Sequence, residues 1–174
     1  MQNYSEDIKL IINHAFTESR YESVFNSIKS EWEKADLRIL PFKESLKDYV
    51  IANTDVLSDS IEESLGTLET LHKSDYAAHV RKEIEDLIKV LKKMLFHLDK
   101  WTMAQKYWVT LDPIYNSGLF TDIFGDNQRN FLETRAQFRR IMWSSYRNPV
   151  AMYNLLIEQR TLVFQKLTEY YLIL

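Results

Sequence analysis

The sequence predicts a mainly α protein, an elongated helical bundle with one long heptad-patterned helix and a single small β-hairpin. Three observations predict it. The 174 residues hold only 3 Gly and 3 Pro, too few for the tight turns of an all-β fold or for the glycine loops that open α/β nucleotide-binding folds. Apolar side chains recur at three- and four-residue spacing over most of the chain. One stretch alone, 37–52, switches to the composition of short strands.

The elements follow in order. Ile8, Ile11, Ala15, Tyr21, Phe25, Ile28 and Trp32 mark a first helix over roughly 5–35. Leu37–Leu40 alternates, Pro41 breaks it, and Asp48–Ile51 is rich in β-formers, so ~37–52 reads as a two-stranded hairpin. A lone hairpin is unstable in water and must lie on the helices. Asn53 or Thr54 is placed to cap a helix over ~54–72, whose stripe is Leu57, Ile61, Leu65, Leu68 and Leu71. Ala77, Val80, Ile84, Leu87, Leu91, Met94, Leu98, Trp101, Gln105 and Trp108 then keep an unbroken three-four spacing. That is a heptad seam of roughly 32 residues, or ~48 Å of helix, inside an element at ~75–112. It needs a partner of similar length, either the first helix or the carboxyl-terminal helices. Pro113 is expected to end the long helix. The stretch 114–126 holds Gly118 and Gly125 and reads as a loop, with a turn of helix at Leu119–Phe124. A helix over ~127–147 carries Phe131, Arg135, Phe138, Ile141 and Met142. Asn148-Pro149 breaks it, and Pro149 is suited to start a last helix over ~149–173 with Met152, Leu155, Leu156, Leu162, Val163 and Leu167. The whole reads as a single domain, without repeat, low-complexity tract or linker.

Composition excludes several functions. Hydrophobic residues make up 45% and charged residues 27%, which is globular rather than disordered. With no Cys, disulfides and thiolate metal sites are excluded. A net charge of −3 gives no basic footprint for nucleic acid. No apolar run is long enough for a membrane span, and the opening MQNYSEDIKL lacks a signal-peptide pattern. The apolar carboxyl end, Tyr170–Leu174, suggests a chain cut from a longer protein.

No chemistry-bearing motif stands out. Glycine occurs only at 66, 118 and 125, so no P-loop or G-x-G-x-x-G can form and no ATPase is expected. Of His14, His72, His79 and His97 none falls in H-E-x-x-H; His72 and His79 would share a face only if one helix ran through Lys73–Asp75, and no metal or other cofactor is expected. Acidic pairs such as Glu62-Glu63 and Glu83 with Asp86 sit on polar helix faces, where they lack the pocket that acid–base work requires. Asn3-Tyr4-Ser5 is a chance sequon. Arg129, Arg135, Arg139, Arg140 and Arg147, interleaved with Phe138, Trp143 and Tyr146, form one basic cluster. It fits a solvated face over a packed one, or a docking surface for an acidic protein partner through Arg135, Arg139, Arg140 and Trp143; single-stranded nucleic acid is the weaker reading. Gln105 is the one polar residue of the seam, where an amide can fix helix register. A small-molecule site on Trp101, Gln105 and Trp108 is the alternative.

At Trp101 to Ile114 the string WTMAQKYWVTLDPI resembles a segment in the linker of dynein heavy chains, with Trp101, Gln105, Trp108, Leu111 and Ile114 in place. Asp112 stands where the family commonly has Glu, and Tyr115 where it has Phe. The surroundings agree in order: Ala15, Glu18, Glu22 and Trp32; Pro41-Phe42-Lys43; Tyr49-Val50-Ile51; Asp55, Ile61 and Leu65; Ser74 and Tyr76; Phe131, Arg139, Ile141-Met142 and Pro149; and Gln165-Lys166-Leu167 leading to Tyr171-Leu172. The glycine usual after the late Gln-Lys is missing, and the loop 116–126 diverges. The resemblance implies a non-catalytic mechanical element, the amino-terminal part of an arm that lies across a ring of AAA+ modules. That arm transmits an ATP-driven power stroke to the tail during microtubule-based movement. Its partners would be the ring and tail of the same heavy chain and, indirectly, other dynein subunits, with neither nucleic acid nor membrane. Location would be the cytoplasm and cytoskeleton, and Pro113 inclines the reading toward the axoneme of a cilium or flagellum. An independent helical adaptor with an Arg/aromatic face is the rival.

Overall fold

A computed structural model describes residues 2–42, 48–117 and 126–173. Helix α1 (Gln2–Lys34) leads into strands β1 (Arg38–Pro41) and β2 (Tyr49–Ala52). Then come α2 (Thr54–His72), a 3-10 helix (Asp75–Val80), α3 (Arg81–Asn116), α4 (Asp126–Arg147), α5 (Ala151–Leu155) and α6 (Arg160–Ile173). The chain is thus a mainly α bundle with one two-stranded antiparallel hairpin. The expected turn of helix at Leu119–Phe124, with Gly118 and Gly125, and Lys43 of the hairpin lie outside the described residues.

The seam forms the centre. Every one of its apolar positions from Ala77 to Trp108 is buried. Its first turn differs from the expected α-helix: Ala77 and Val80 belong to the 3-10 helix, where residues three apart eclipse and both reach the core. Ser74 caps that helix, its Oγ accepting from the Tyr76 N–H at 3.3 Å. Its chief partners are α2 on one stretch and α6 on another. Of the two expected partners, the first helix is therefore displaced by α2. The short connection from α2 brings that helix straight back along α3, and its stripe Ile61, Leu65, Leu68 and Leu71 is buried.

Helix α1 packs on the 3-10 helix, α2 and α5, and its contact with the 3-10 helix reaches back to His14, whose ring lies 4.7 Å from that of Tyr76. Phe25 and Trp32 are 1% exposed, whereas Ile8 and Ile11 are 55% and 67% exposed, so the apolar positions of the first turns do not enter the core. Asn53 precedes α2 in the left-handed region (φ 55°, ψ 38°) and its side chain makes no capping bond. It turns the chain by backbone conformation, which Asn tolerates better than most residues, and its carbonyl accepts the Leu57 N–H at 3.1 Å.

Two proline expectations change. Pro113 does not end α3, which continues to Asn116; the Ser117 N–H donates to the Pro113 carbonyl at 3.1 Å. In the last turn the missing proline N–H removes a single helical bond, and buried Leu111 and Tyr115 hold the turn on the core. Pro149 does not begin one long helix. It lies two residues before the short α5, and the chain breaks again at 156–159 before α6. The break has a geometric reason: buried Leu155 and Phe164 are nine residues apart, which on one continuous helix would set them about 180° apart. Interrupting the helix resets the phase, so that Leu155, Phe164 and Leu167 all face inward.

The joint between α4 and α5 is pinned to the start of the hairpin. The Leu37 N–H donates to the Pro149 carbonyl at 2.7 Å, and the Ala151 N–H to the Ala35 carbonyl at 2.7 Å, an isolated antiparallel bridge at Asp36 and Val150.

Candidate functional site

The polar residue of the seam sits where α3 meets the hairpin. Ile39 pairs with Ile51 and Leu40 with Val50, and the Phe42 N–H bonds the Asp48 carbonyl at 2.8 Å. Antiparallel pairs alternate between bonded and unbonded, so Ile51 turns its N–H and C=O away from β1. Gln105 receives both. Its Oε1 accepts the Ile51 N–H at 2.7 Å, and its Nε2 donates to the Ile51 carbonyl at 3.0 Å. The side-chain amide thus serves as a third strand one residue long. The same alternation puts Pro41, opposite Tyr49, at an unbonded position where no N–H is needed. Gln105 therefore fixes a hairpin to a helix, in place of the helix-to-helix register expected from the sequence.

Gln105→Leu leaves both Ile51 groups without a partner. We expect a loss of roughly 2 kcal/mol in urea unfolding and faster hydrogen exchange at the Ile51 amide, while amides in the middle of α3 keep their relative protection. Unchanged Ile51 exchange would show that the amide contributes nothing there.

Around this clamp the aromatic residues are closely packed. Trp101 stacks on Phe164 (ring centroids 5.4 Å apart, 27° between planes) and donates from Nε1 to Met142 Sδ at 3.2 Å. Trp108 lies between Phe42 at 5.7 Å and Phe138 at 5.3 Å. Phe131 stacks on Tyr115 at 4.3 Å. Burial, with the nearby Tyr170 adding to it, raises the Tyr115 hydroxyl above the usual tyrosine pKa. Trp32 donates from Nε1 to Ser64 Oγ at 3.0 Å and ties α1 to α2. Leu111 is fully buried, Ile114 and Pro149 half-buried. Both seam tryptophans are 1% exposed, so protein side chains fill the place where the alternative reading puts a small molecule. No cluster of three or more metal-ligating side chains occurs among the described residues.

The basic cluster divides. Arg139 grips Asp48 of the hairpin in a two-pronged pair, Nε to Oδ1 at 2.5 Å and the terminal nitrogen to Oδ2 at 2.9 Å. Arg135 pairs with Asp112 of α3, its terminal nitrogen 3.4 Å from Oδ2. These two side chains are half-buried fasteners within the chain, which corrects the expectation that they belong to an outward docking face. Arg140 and Trp143 remain exposed. The order of residues along α4 could not separate the two pairs, because Asp48 is brought to Arg139 by the hairpin.

Arg160 has no counterpart in the sequence reading. It is 8% exposed, and no carboxylate pairs with it among the described residues. One terminal nitrogen donates to Ser145 Oγ at 2.9 Å and Asn154 Oδ1 at 2.8 Å, the other to Ser144 Oγ at 3.2 Å. Its guanidinium lies 5.5 Å from the centre of the Trp101 ring. Burial lowers its pKa from the usual arginine value. Asn154 in turn donates to the Asn148 and Val150 carbonyls at 2.6 and 2.9 Å, closing the α4–α5 joint. The sequence signal was the break in phase before Arg160, which places a cation at the start of a helix facing inward.

These features define a class before they define a family: a packed helical framework whose conspicuous polar and aromatic groups join one element to the next. Comparison with known proteins is specific. The family described as "Dynein heavy chain, N-terminal region 2" matches residues 1–172. Similar proteins include human "Dynein axonemal heavy chain 6", 22% identical over 86% of this chain and 4% of its own length. Rat "Dynein axonemal heavy chain 1" is 24% identical over 93% of this chain and 4% of its own, and the Chlamydomonas reinhardtii "Dynein gamma chain, flagellar outer arm" is 25% identical over 80% and 3%. The chain belongs to the dynein heavy chain family, in its N-terminal region 2. It spans only about 4% of the length of the curated relatives it matches.

Proposed function

We propose that the chain is the amino-terminal part of a dynein linker arm. In this reading it is a mechanical element that does no catalysis, lies over the AAA+ ring of the same heavy chain, and passes the ATP-driven stroke on to the tail. Its partners are that ring and tail, with other dynein subunits reached indirectly. The place of work is the cytoskeleton; the axonemal and flagellar relatives favour a cilium or flagellum. The observation that carries the reading is the family match over residues 1–172, which coincides with a seam buried along the whole of α3. A long helix covered by α2 and α6 resists bending because its side chains are interlocked with theirs, whereas an isolated helix depends on propensity alone.

The test is to soften α3 without touching the core. Asp99 and Lys106 are exposed, and glycine at each weakens the helix by about 1 kcal/mol. In a heavy chain carrying Asp99→Gly and Lys106→Gly we expect slower microtubule gliding with microtubule-stimulated ATP turnover retained, and normal gliding with alanine at both sites. Gliding at full speed in the glycine variant, or ATP turnover falling in step with velocity, would count against a mechanical role.

A further inference from the structure

Arg140, Trp143 and Arg147 stand three and four residues apart on α4 and so share one face of that helix. All three are exposed, and so is Tyr146. Trp143 is 47% exposed, whereas Trp32, Trp101 and Trp108 are each 1% exposed. Its ring is nonetheless held in place. Buried Tyr49 of β2 lies beneath, 5.7 Å from Trp143 and 4.5 Å from Tyr146, and the Trp143 and Tyr146 rings stack at 6.1 Å. The Arg147 guanidinium stands 5.8 Å from the Trp143 centroid. Neither Arg140 nor Arg147 has an ion-pair partner among the described residues, unlike Arg135 and Arg139. Helix α4 carries no acidic residue after Glu133. A chain of net charge −3 therefore presents one compact cationic face around a fixed, half-open aromatic pair.

We propose that this face docks an acidic segment of a protein partner. Carboxylates of the partner meet Arg140 and Arg147, and an apolar side chain between them covers Trp143 and Tyr146. Guanidinium groups only donate hydrogen bonds, and carboxylates take them in matched pairs. Exposed Trp, Tyr and Arg are the residues that dominate binding energy at interfaces. Rings already held by Tyr49 lose little freedom on binding. Two cations in an acidic chain are too few for the counterion release on which nucleic-acid affinity depends. This surface goes beyond the motor-arm reading and stands without it.

Trp143 reports on its own occupancy, since acrylamide cannot reach the three buried tryptophans. The probe is a short synthetic peptide in which glutamates flank a leucine-phenylalanine pair, set against the same peptide with lysines. With the 174-residue chain, the acidic peptide is expected to shield Trp143 from acrylamide, and less so as salt rises. Arg140→Glu with Arg147→Glu should weaken binding of the labelled peptide about tenfold or more by fluorescence anisotropy. Lysine at both positions should keep part of the binding. Both arginines are exposed, and a circular-dichroism melt verifies that each variant folds. Equal shielding by the lysine peptide, full binding by the double glutamate variant, or no binding of the acidic peptide would overturn the proposal. So would shielding by a thymidine oligonucleotide tighter than by the acidic peptide, which would assign the face to nucleic acid. Shielding that rises with protein concentration alone, with dimers in sedimentation, would assign it to a second copy of the chain.

Discussion

Trp101→Ala is expected to destabilise the chain by about 3–5 kcal/mol, measured as a shift of the urea midpoint at constant slope. The residue is 1% exposed and joins three elements: its ring lies on Phe164 of α6, its N–H reaches Met142 of α4, and its backbone belongs to α3. Truncation leaves a cavity that all three helices line. A domain of ordinary stability holds about 5–15 kcal/mol in total, so the variant should be partly unfolded near body temperature. Trp108 supplies the comparison. It is equally buried, but its indole N–H finds no hydrogen-bond partner among the described residues. Trp108→Phe removes a polar group that bonds nothing and should cost less than Trp101→Phe, which gives up the bond to sulfur. Equal costs would mean that ring volume alone governs both sites.

Arg160→Ala is expected to cost about 3 kcal/mol in the same measurement. The loss has two parts: the guanidinium no longer covers the Trp101 ring, and the Ser145 and Asn154 oxygens lose their donor. In an ordinary buried ion pair, removing one partner strands a charge. Here the partners are neutral, so no stranded charge follows. Arg160→Met, which restores much of the volume, should therefore recover about half of the loss. A methionine variant as unstable as the alanine variant would place the whole effect in the hydrogen bonds, and one as stable as the parent would place it in packing.

Much of this framework could be read from residue order. The seam from Ile84 to Trp108 and the stripe of α2 were legible because burial of one helix face imposes a fixed period, and the hairpin because Leu37–Leu40 and Tyr49–Ile51 abandon it. Legibility ended where a side chain answers to something distant in sequence. The period showed that Gln105 is anomalous; it could not show that Ile51, on a strand 54 residues away, is its partner. Arg135, Arg139 and Arg140 look alike in sequence, and only the placement of Asp112 and Asp48 separates two internal fasteners from a third arginine that has no ion-pair partner among the described residues. The first turns of α1 show the converse error. Ile8 and Ile11 have helical spacing like Phe25 and Trp32, but spacing says that a face is apolar and not that another element covers it. The split between α5 and α6 was legible in principle, since Leu155 and Phe164 are out of phase on one helix.

The bridge between residues 35–37 and 149–151 bears on the order in which the chain assembles. Its two hydrogen bonds join segments more than a hundred residues apart, and a contact of that span forms only after most of the loop entropy has been given up. The α2–α3 pair, by contrast, is linked by a few residues and can zip early. The bridge between the root of α1 and the α4–α5 joint is therefore expected to form after the α2–α3 pair. Losing either side of that bridge leaves the other side's backbone groups without their partners, so the root of α1 and the α4–α5 joint are expected to lose stability together.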